Sequence, residues 1–218
     1  MRGLVFPDRR AAGTLLGKEV ATRHFARAVV LGLPRGGVPV AAEVAAAIGA
    51  PLDVIVVRKL GVPQQPELAM GAIGEDGVVV VNHDVRRSTR VDDQQFAEIE
   101  RVERVQLERS LDTIRRARPR HDMAGRSAII VDDGIATGAT VRAAIDVARA
   151  HGAARVVVAT PVAPADVVTA LGALADEVVC LESPHPFGSV GRWYRDFAAV
   201  NDAEVAELLA GAIHRDDC

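Results

Sequence analysis

Short apolar runs alternate along the chain with stretches whose apolar residues recur every three or four positions. AVVLGL (28–33) is β-branched and uniformly apolar, the pattern of a strand buried on both faces. Behind it Val40, Val44, Ala47 and Ile48 share one helical face, and Gly49 marks the end of that helix. DVIVV (53–57) predicts a second strand. AMGAI (69–73) and VVVV (78–81) flank GEDG and predict a hairpin. Residues 92–116 read as a long charged helix, with Glu100 and Arg104 paired four apart and an apolar stripe at Phe96, Ile99, Val102 and Val105. SAIIV (127–131) is a strand; Val141, Ile145 and Ala148 define the helix after it; ARVVVAT (154–160), a helix over 164–174 and DEVVCL (176–181) complete the series. Strands alternating with helices predict a doubly wound, mainly parallel α/β sheet with helices on both faces. In such sheets ligands sit beyond the carboxyl ends of the strands.

Length and composition narrow this picture. A chain of 218 residues is one domain or a domain with a small appendage, and its 49% apolar content supplies a core. A net charge of −3 gives no electrostatic reason to expect nucleic acid or an anionic membrane as a partner. Cys180 and Cys218 form no CxxC pair, so free thiols are expected. The start, MRGLVFPDRR, has no apolar signal segment, and no apolar run approaches the roughly 18 residues of a membrane span. A cytoplasmic location is expected.

The chemistry concentrates in VDDGIATGAT (131–140). Asp132 and Asp133 end a buried strand, and a small-residue loop leads from them into a helix. Amides at a helix start have no internal partner and accept an anion such as phosphate. Small residues let the backbone close around it, and Thr137 and Thr140 add hydroxyl donors. Carboxylates repel phosphate; as pure acceptors they suit a vicinal diol. A phosphate beside a diol describes a ribose 5-phosphate, and the acids would favour positive charge developing at its anomeric carbon. By itself Asp-Asp-Gly reads as a turn, with Asp133 capping a helix; the whole string after a buried strand favours the ligand site. It lacks the lysine of a Walker loop.

VDDGIATGAT resembles, across all ten positions, the signature of the type I phosphoribosyltransferases, and the chain as a whole looks most like small bacterial members whose acceptor is unassigned. The resemblance implies the type I phosphoribosyltransferase fold. It implies that Asp132 and Asp133 hold the ribose hydroxyls of phosphoribosyl pyrophosphate (PRPP), and that Ala136, Thr137, Gly138, Ala139 and Thr140 hold its 5-phosphate. It also implies a pyrophosphate loop after the first core strand. LPRGGVPVA (33–41) stands there, with Arg35, Gly36 and Gly37. Arg58 and Lys59, where a dinucleotide site would want an acid, suit pyrophosphate. A solvated basic pair is the alternative.

The family pattern then divides the chain into a core (about 25–60 and 125–182), a flap (about 61–124) and a hood (about 1–24 and 183–218) that recognises the acceptor. In the flap, residues 92–116 are either a lid or an amphipathic helix packed on the body. Arg115, Arg116, Arg118 and Arg120 form a basic run, and Glu67 is a flap candidate for the site. SPHPFGSVGRWYRDFAAV (183–200) holds the only Trp and the only Tyr of the chain. There Phe187, Trp193 and Tyr194 would stack on a flat ring and Asp196 would face it; alternatively Trp193 and Phe197 staple a terminal helix. Leu15, Leu16 and Val20 would support the hood.

Ala136 stands where family members acting on 6-oxopurines carry an acid, so a different base is expected. The resemblance therefore implies a Mg²⁺-dependent transferase moving the phosphoribosyl group of PRPP to a nitrogen nucleophile. No HxxxH or CxxC cluster is present, so the Mg²⁺ would arrive with PRPP, held if at all through Asp132 and Asp133. Nucleic acid and membrane are not expected partners, and a homodimer stays open. The alternative is a regulator that binds PRPP or a nucleotide without turnover.

Overall fold

The computed structural model describes residues 4–212 except Arg118, and describes Glu67, Thr113 and Ala117 by their backbone only. The expectations for Cys218, Arg118, the Glu67 side chain and the outermost hood residues lie outside the described residues. In chain order the elements are α1 (Arg9–Ala21), β1 (Ala28–Gly32), α2 (Gly37–Ile48), β2 (Leu52–Val54), β3 (Arg58–Val62), β4 (Gln65–Ile73), β5 (Val79–Val81), α3 (His83–Thr89), α4 (Asp93–Ala117), β6 (Ser127–Val131), α5 (Ala139–Ala150), β7 (Arg155–Val162), α6 (Ala165–Gly172) and β8 (Glu177–Glu182). A 3-10 turn at Val190–Trp193 and helix α7 (Asp202–Gly211) follow.

Five strands form a parallel sheet in the order β2-β1-β6-β7-β8, as the alternating pattern predicts. Strands β1, β6 and β7 are buried on both faces, because α1, α2, α4 and α7 pack on one side and α5 and α6 on the other. The direction of winding reverses between β1 and β6, and a reversal opens a crevice at the carboxyl ends of the two strands. Gly32 of β1 lies opposite Val131 of β6. The PRGG segment and the acid motif therefore leave the sheet side by side, in the crevice where a ligand is expected.

DVIVV does not form one strand. β2 ends at Val54, because this edge strand pairs only with β1 and the ladder runs out after three register pairs. The chain leaves the sheet over Ile55–Val57 and enters an antiparallel sheet of β3, β4 and β5. Arg58 and Lys59 thus open β3 rather than closing a core strand. The GEDG hairpin between β4 and β5 forms as predicted.

Helix α4 is packed on the body. Its inward residues are Phe96, Leu107 and Ile114, with Ile99 half-buried, whereas Val102 and Val105 are exposed. The predicted stripe advanced by three residues at a time. Each such step falls about 60° short of a full turn, so three steps carry it to the opposite face. Arg115 of the basic run is neither solvated nor free. It donates from Nη1 to Asp53 Oδ1 at 2.7 Å, from Nε to Glu75 Oε2 at 2.7 Å and from Nη2 to Glu75 Oε1 at 2.6 Å. Asp53 is wholly buried and takes further bonds from the Val54 and His121 amides, each at 2.7 Å. This clamp ties the end of α4 to β2 and to the turn of the β4–β5 hairpin. Arg120 pairs with Asp76 at 2.8 Å, and Arg116 is exposed. Among the described residues, no helix is long and apolar enough to cross a membrane.

Arg115→Ala would leave the Asp53 and Glu75 carboxylates buried without a counter-charge. The expected loss of unfolding free energy is about 3–5 kcal/mol, read from urea unfolding. A loss below about 1 kcal/mol, typical of a solvent-screened pair, would show that the clamp does not hold α4.

Candidate active site

The site is built at the ends of β1 and β6. Asp132 is partly exposed at the mouth, and its Oδ1 accepts the Asp133 amide at 3.0 Å. Burial, and then the charge of the adjacent Asp133, push the Asp132 carboxyl well above the usual carboxylate range. Asp133 is 9% exposed. Burial raises its carboxyl too, against the opposing pull of Arg9. Asp133 is not a helix cap, since α5 begins only at Ala139.

From Gly134 to Gly138 the chain forms the loop that the motif predicts. Ala136 and Thr137 are exposed, and Gly138 closes the loop in the left-handed region at φ 76°. Among the described residues the amides of Ala136, Thr137 and Gly138 have no protein acceptor, whereas the Ala139 amide at the start of α5 donates to Thr137 Oγ1 at 3.5 Å. A small-residue loop thus presents N–H groups beyond the end of the acid strand.

The second loop is equally compact. The Leu33 amide donates to Val131 O at 2.9 Å, the Pro34–Arg35 peptide is cis, and the Gly37 amide returns to Leu33 O at 3.0 Å. The two glycines make a close contact within the protein. A Cβ at Gly36 would lie 2.1 Å from Asp133 Oδ2, and one at Gly37 would lie 2.5 Å from Val131 O. Their lack of side chains therefore lets this loop close on the acid strand. Arg35 points outward, 3.8 Å from Asp202 at the start of α7. It shares a cleft of about 820 Å³ with Arg58, Lys59, Thr140 and, on α4, Arg109. Arg58 also donates to Ser110 of α4 at 3.3 Å.

The hood joins both ends of the described chain. Phe6 exchanges backbone bonds with Trp193 and Arg195, and its ring packs 5.5 Å from that of Tyr194. The Tyr194 hydroxyl donates to the main-chain oxygen of Asp133, and burial pushes its phenol upward. Arg9, at the start of α1, donates from Nε to Asp133 Oδ2 at 2.7 Å and from Nη1 to Ala198 O at 2.7 Å. Its guanidinium lies 3.9 Å from the centre of the Phe197 ring. Val190 stands over Gly134, where a Cβ would be 2.3 Å from its Cγ1.

These contacts correct two expectations. Tyr194 cannot stack on an acceptor, because its ring is buried between Phe6 and Phe197. Trp193 and Phe197 do not staple a helix, since the 3-10 turn ends at Trp193 and α7 starts only at Asp202. Trp193 pairs with Phe187 instead and donates from Nε1 to the Phe187 carbonyl at 3.0 Å. Asp196 is exposed and accepts the Ala198 amide at 3.0 Å. Leu16 and Val20 are buried on α2 and its neighbours, whereas Leu15 is 40% exposed. Glu67 lies on β4. Arg9 and Arg109 were missed by sequence reasoning. Isolated arginines at a helix start and on a charged helix carry no signal there; the one hint was the apolar spacing that tied the N-terminal helix to the hood.

A parallel sheet with an acid pair and a small-residue loop at its winding reversal defines a doubly wound domain of the α/β class. The chain belongs to the phosphoribosyl transferase domain family, whose model matches residues 9–191. It is 55% identical over 212 residues to two Mycobacterium tuberculosis proteins, "Putative phosphoribosyl transferase MT0597" of strain CDC 1551 / Oshkosh and "Putative phosphoribosyl transferase Rv0571c" of strain ATCC 25618 / H37Rv. The match covers 97% of this chain and 48% of each relative, so the chain spans about half their length. The crystal structure of TT1426 from Thermus thermophilus is similar throughout: TM-score 0.91 and 44% identity over 95% of this chain and 98% of that one.

The raised Asp132 carboxyl has a thermodynamic consequence. Between the ordinary carboxylate value of about 4 and its elevated folded value, the native state keeps a proton that the unfolded chain has lost. Stability therefore falls as pH rises through that window. Asp132→Asn removes this loss, so the ligand-free variant should melt above the wild type at pH 7–8, the difference closing as pH falls toward 4. Thermal unfolding across pH checks this; an equal or lower melting temperature for the variant at pH 8 would show that the carboxylate is not strained.

Proposed function

We propose that the chain is a Mg²⁺-dependent phosphoribosyltransferase that moves the 5-phosphoribosyl group of PRPP to a nitrogen nucleophile and releases pyrophosphate. The observation that carries this reading is that the acid motif, with its free amides at 136–138, and the PRGG loop leave β6 and β1 side by side, while a cleft lined by Arg35, Arg58 and Lys59 reaches the motif at Thr140. In this reading the loop Ala136–Thr140 holds the 5-phosphate, with the Thr137 and Thr140 hydroxyls as further donors. Asp132 accepts from a ribose hydroxyl. Arg35, Arg58 and Lys59 face the pyrophosphate and stabilise the charge it gains on leaving. As the glycosidic bond breaks, positive charge builds at the anomeric carbon, where the nearby carboxylate favours it.

The donor set suits Mg²⁺ carried by its substrate. No cluster of three or more His, Cys, Asp or Glu is present among the described residues, while Asp132 is a half-buried carboxylate, and Mg²⁺ is commonly held by one or two carboxylates plus substrate phosphates. When bound it would neutralise charge on the departing pyrophosphate. Ala136 supplies no acid for a 6-oxopurine, so the acceptor is a different nitrogen compound. We place the protein in the cytoplasm, where the unpaired Cys180 thiol would stay reduced.

One observation favours a second reading, a regulator that binds PRPP without turnover. The hood's rings pack on one another, Phe187 with Trp193 and Tyr194 with Phe6 and Phe197, rather than framing a slot for a base.

Pyrophosphate release from Mg-PRPP, measured across nucleobases, amines and other nitrogen nucleophiles, separates the readings. Release that depends on one acceptor is expected. Tight PRPP binding with no turnover on any acceptor would make the protein a regulator, and no PRPP binding would defeat both. Hypoxanthine and guanine should be poor acceptors, by about 10²–10⁴-fold, because general acid–base help is missing; efficient IMP or GMP formation would overturn the role given to Ala136. Asp132→Asn should weaken PRPP binding roughly ten- to a hundred-fold, and unchanged affinity in a folded variant would remove Asp132 from the sugar.

A further inference from the structure

The family pattern gives both acids to the ribose, but their surroundings differ. Asp133 Oδ2 is engaged by Arg9 Nε at 2.7 Å, with the two side chains only 13% and 12% exposed. The backbone of Gly36 covers the same oxygen so closely that no Cβ would fit. The main-chain oxygen of Asp133 is taken by Tyr194. Asp132 has none of these partners; its Oδ1 accepts the amide of its own neighbour, Asp133.

Arg9 is held from behind as well. Its guanidinium stacks on Phe197 at 3.9 Å and reaches the Ala198 carbonyl at 2.7 Å. A planar, forked group can satisfy a carboxylate, a carbonyl and an aromatic face together. The fork therefore connects the acid strand to a hood segment 189 residues from Arg9 along the chain.

We propose that Arg9 is a positioning residue for the acid pair: anchored in the hood, it holds Asp133 away from the ligand and leaves Asp132 as the carboxylate that meets the sugar. The physical logic is charge separation. Two neighbouring carboxylates in a largely dry strand end oppose each other's ionisation. A fixed guanidinium on one of them offsets half of that charge and fixes the direction in which the other points. Asp133 then contributes to binding through the hood, not through a hydroxyl. This rests on the PRPP reading above.

The test compares Arg9→Ala, Arg9→Lys, Arg9→Met, Asp133→Asn, Asp132→Asn and the double variants of Arg9→Ala with each acid variant. Mg-PRPP affinity is read by calorimetry, and the state of the hood by the emission of Trp193, the only tryptophan in the chain. Arg9→Ala and Asp133→Asn should each weaken PRPP binding about tenfold, shift Trp193 emission without ligand, and do no more together than the stronger does alone. Arg9→Ala and Asp132→Asn should multiply, and Asp132→Asn alone should leave Trp193 unmoved. Arg9→Lys keeps the charge and should recover part of the affinity. Arg9→Met keeps the apolar stem against Phe197 and should not; recovery by Met instead of Lys would reduce Arg9 to packing and overturn the proposal. So would wild-type affinity in Arg9→Ala, or independent effects of Arg9→Ala and Asp133→Asn. If the wild type binds no PRPP, the functional reading fails. The Arg9 proposal is then decided by a double-mutant cycle of thermal unfolding with Trp193 emission. Coupling between Arg9 and Asp133 sustains it, and additivity ends it.

Discussion

Two carboxylates share the end of a buried strand, and much of the site is arranged around their mutual repulsion. Burial pushes both carboxyls upward, and the charge of Asp133 pushes Asp132 further. An isolated pair of this kind would be a defect in the core. Here it is divided: one acid is packed against a glycine backbone and paired with a guanidinium, and the other keeps an open side toward the crevice. The glycines of the neighbouring loop, the arginine of the first helix and the tyrosine of the hood can all be read as answers to the same electrostatic problem.

The elements around that strand end divide the work of packing. Arg35, Arg58, Lys59 and Arg109 line the cleft by β3 and α4, with Asp202 of α7 beside Arg35, while Val190 and Tyr194 pack against Gly134 and Asp133. The Arg115 clamp and the buried Leu107 and Ile114 hold α4 to the body along this cleft.

The parallel sheet and its ligand crevice were legible in the sequence because both depend on local regularities. Apolar runs such as SAIIV are buried whatever their neighbours, and the acid motif carries its loop, helix start and preceding strand in ten consecutive residues. What stayed hidden depends on contacts between distant segments. DVIVV has the composition of a full strand, but an edge position with one neighbour ended it early. The aromatic cluster near the C-terminus was visible as composition, yet nothing local said that Tyr194 would be covered by Phe6 or that Asp133 would receive Arg9. Gly36 and Gly37 were recognised as a place of close approach, but the partner proved to be the acid strand. Arg115 looked like one member of a basic run, and only the fold showed two buried acids waiting for it.

The bridge between Phe6 and Tyr194, with Arg9 reaching Ala198, also sets an order of events during synthesis. The ribosome releases the N-terminal segment first, yet the groups that hold it appear only after nearly the whole described chain has been made. The sheet, both loops and the acid pair can assemble before that point, but no Phe197 or Ala198 yet exists to fix Arg9 over Asp133. Closing so long a loop is entropically slow. The final covering of the acids therefore waits for residues 193–198, and a product lacking them would carry the motif without its seal.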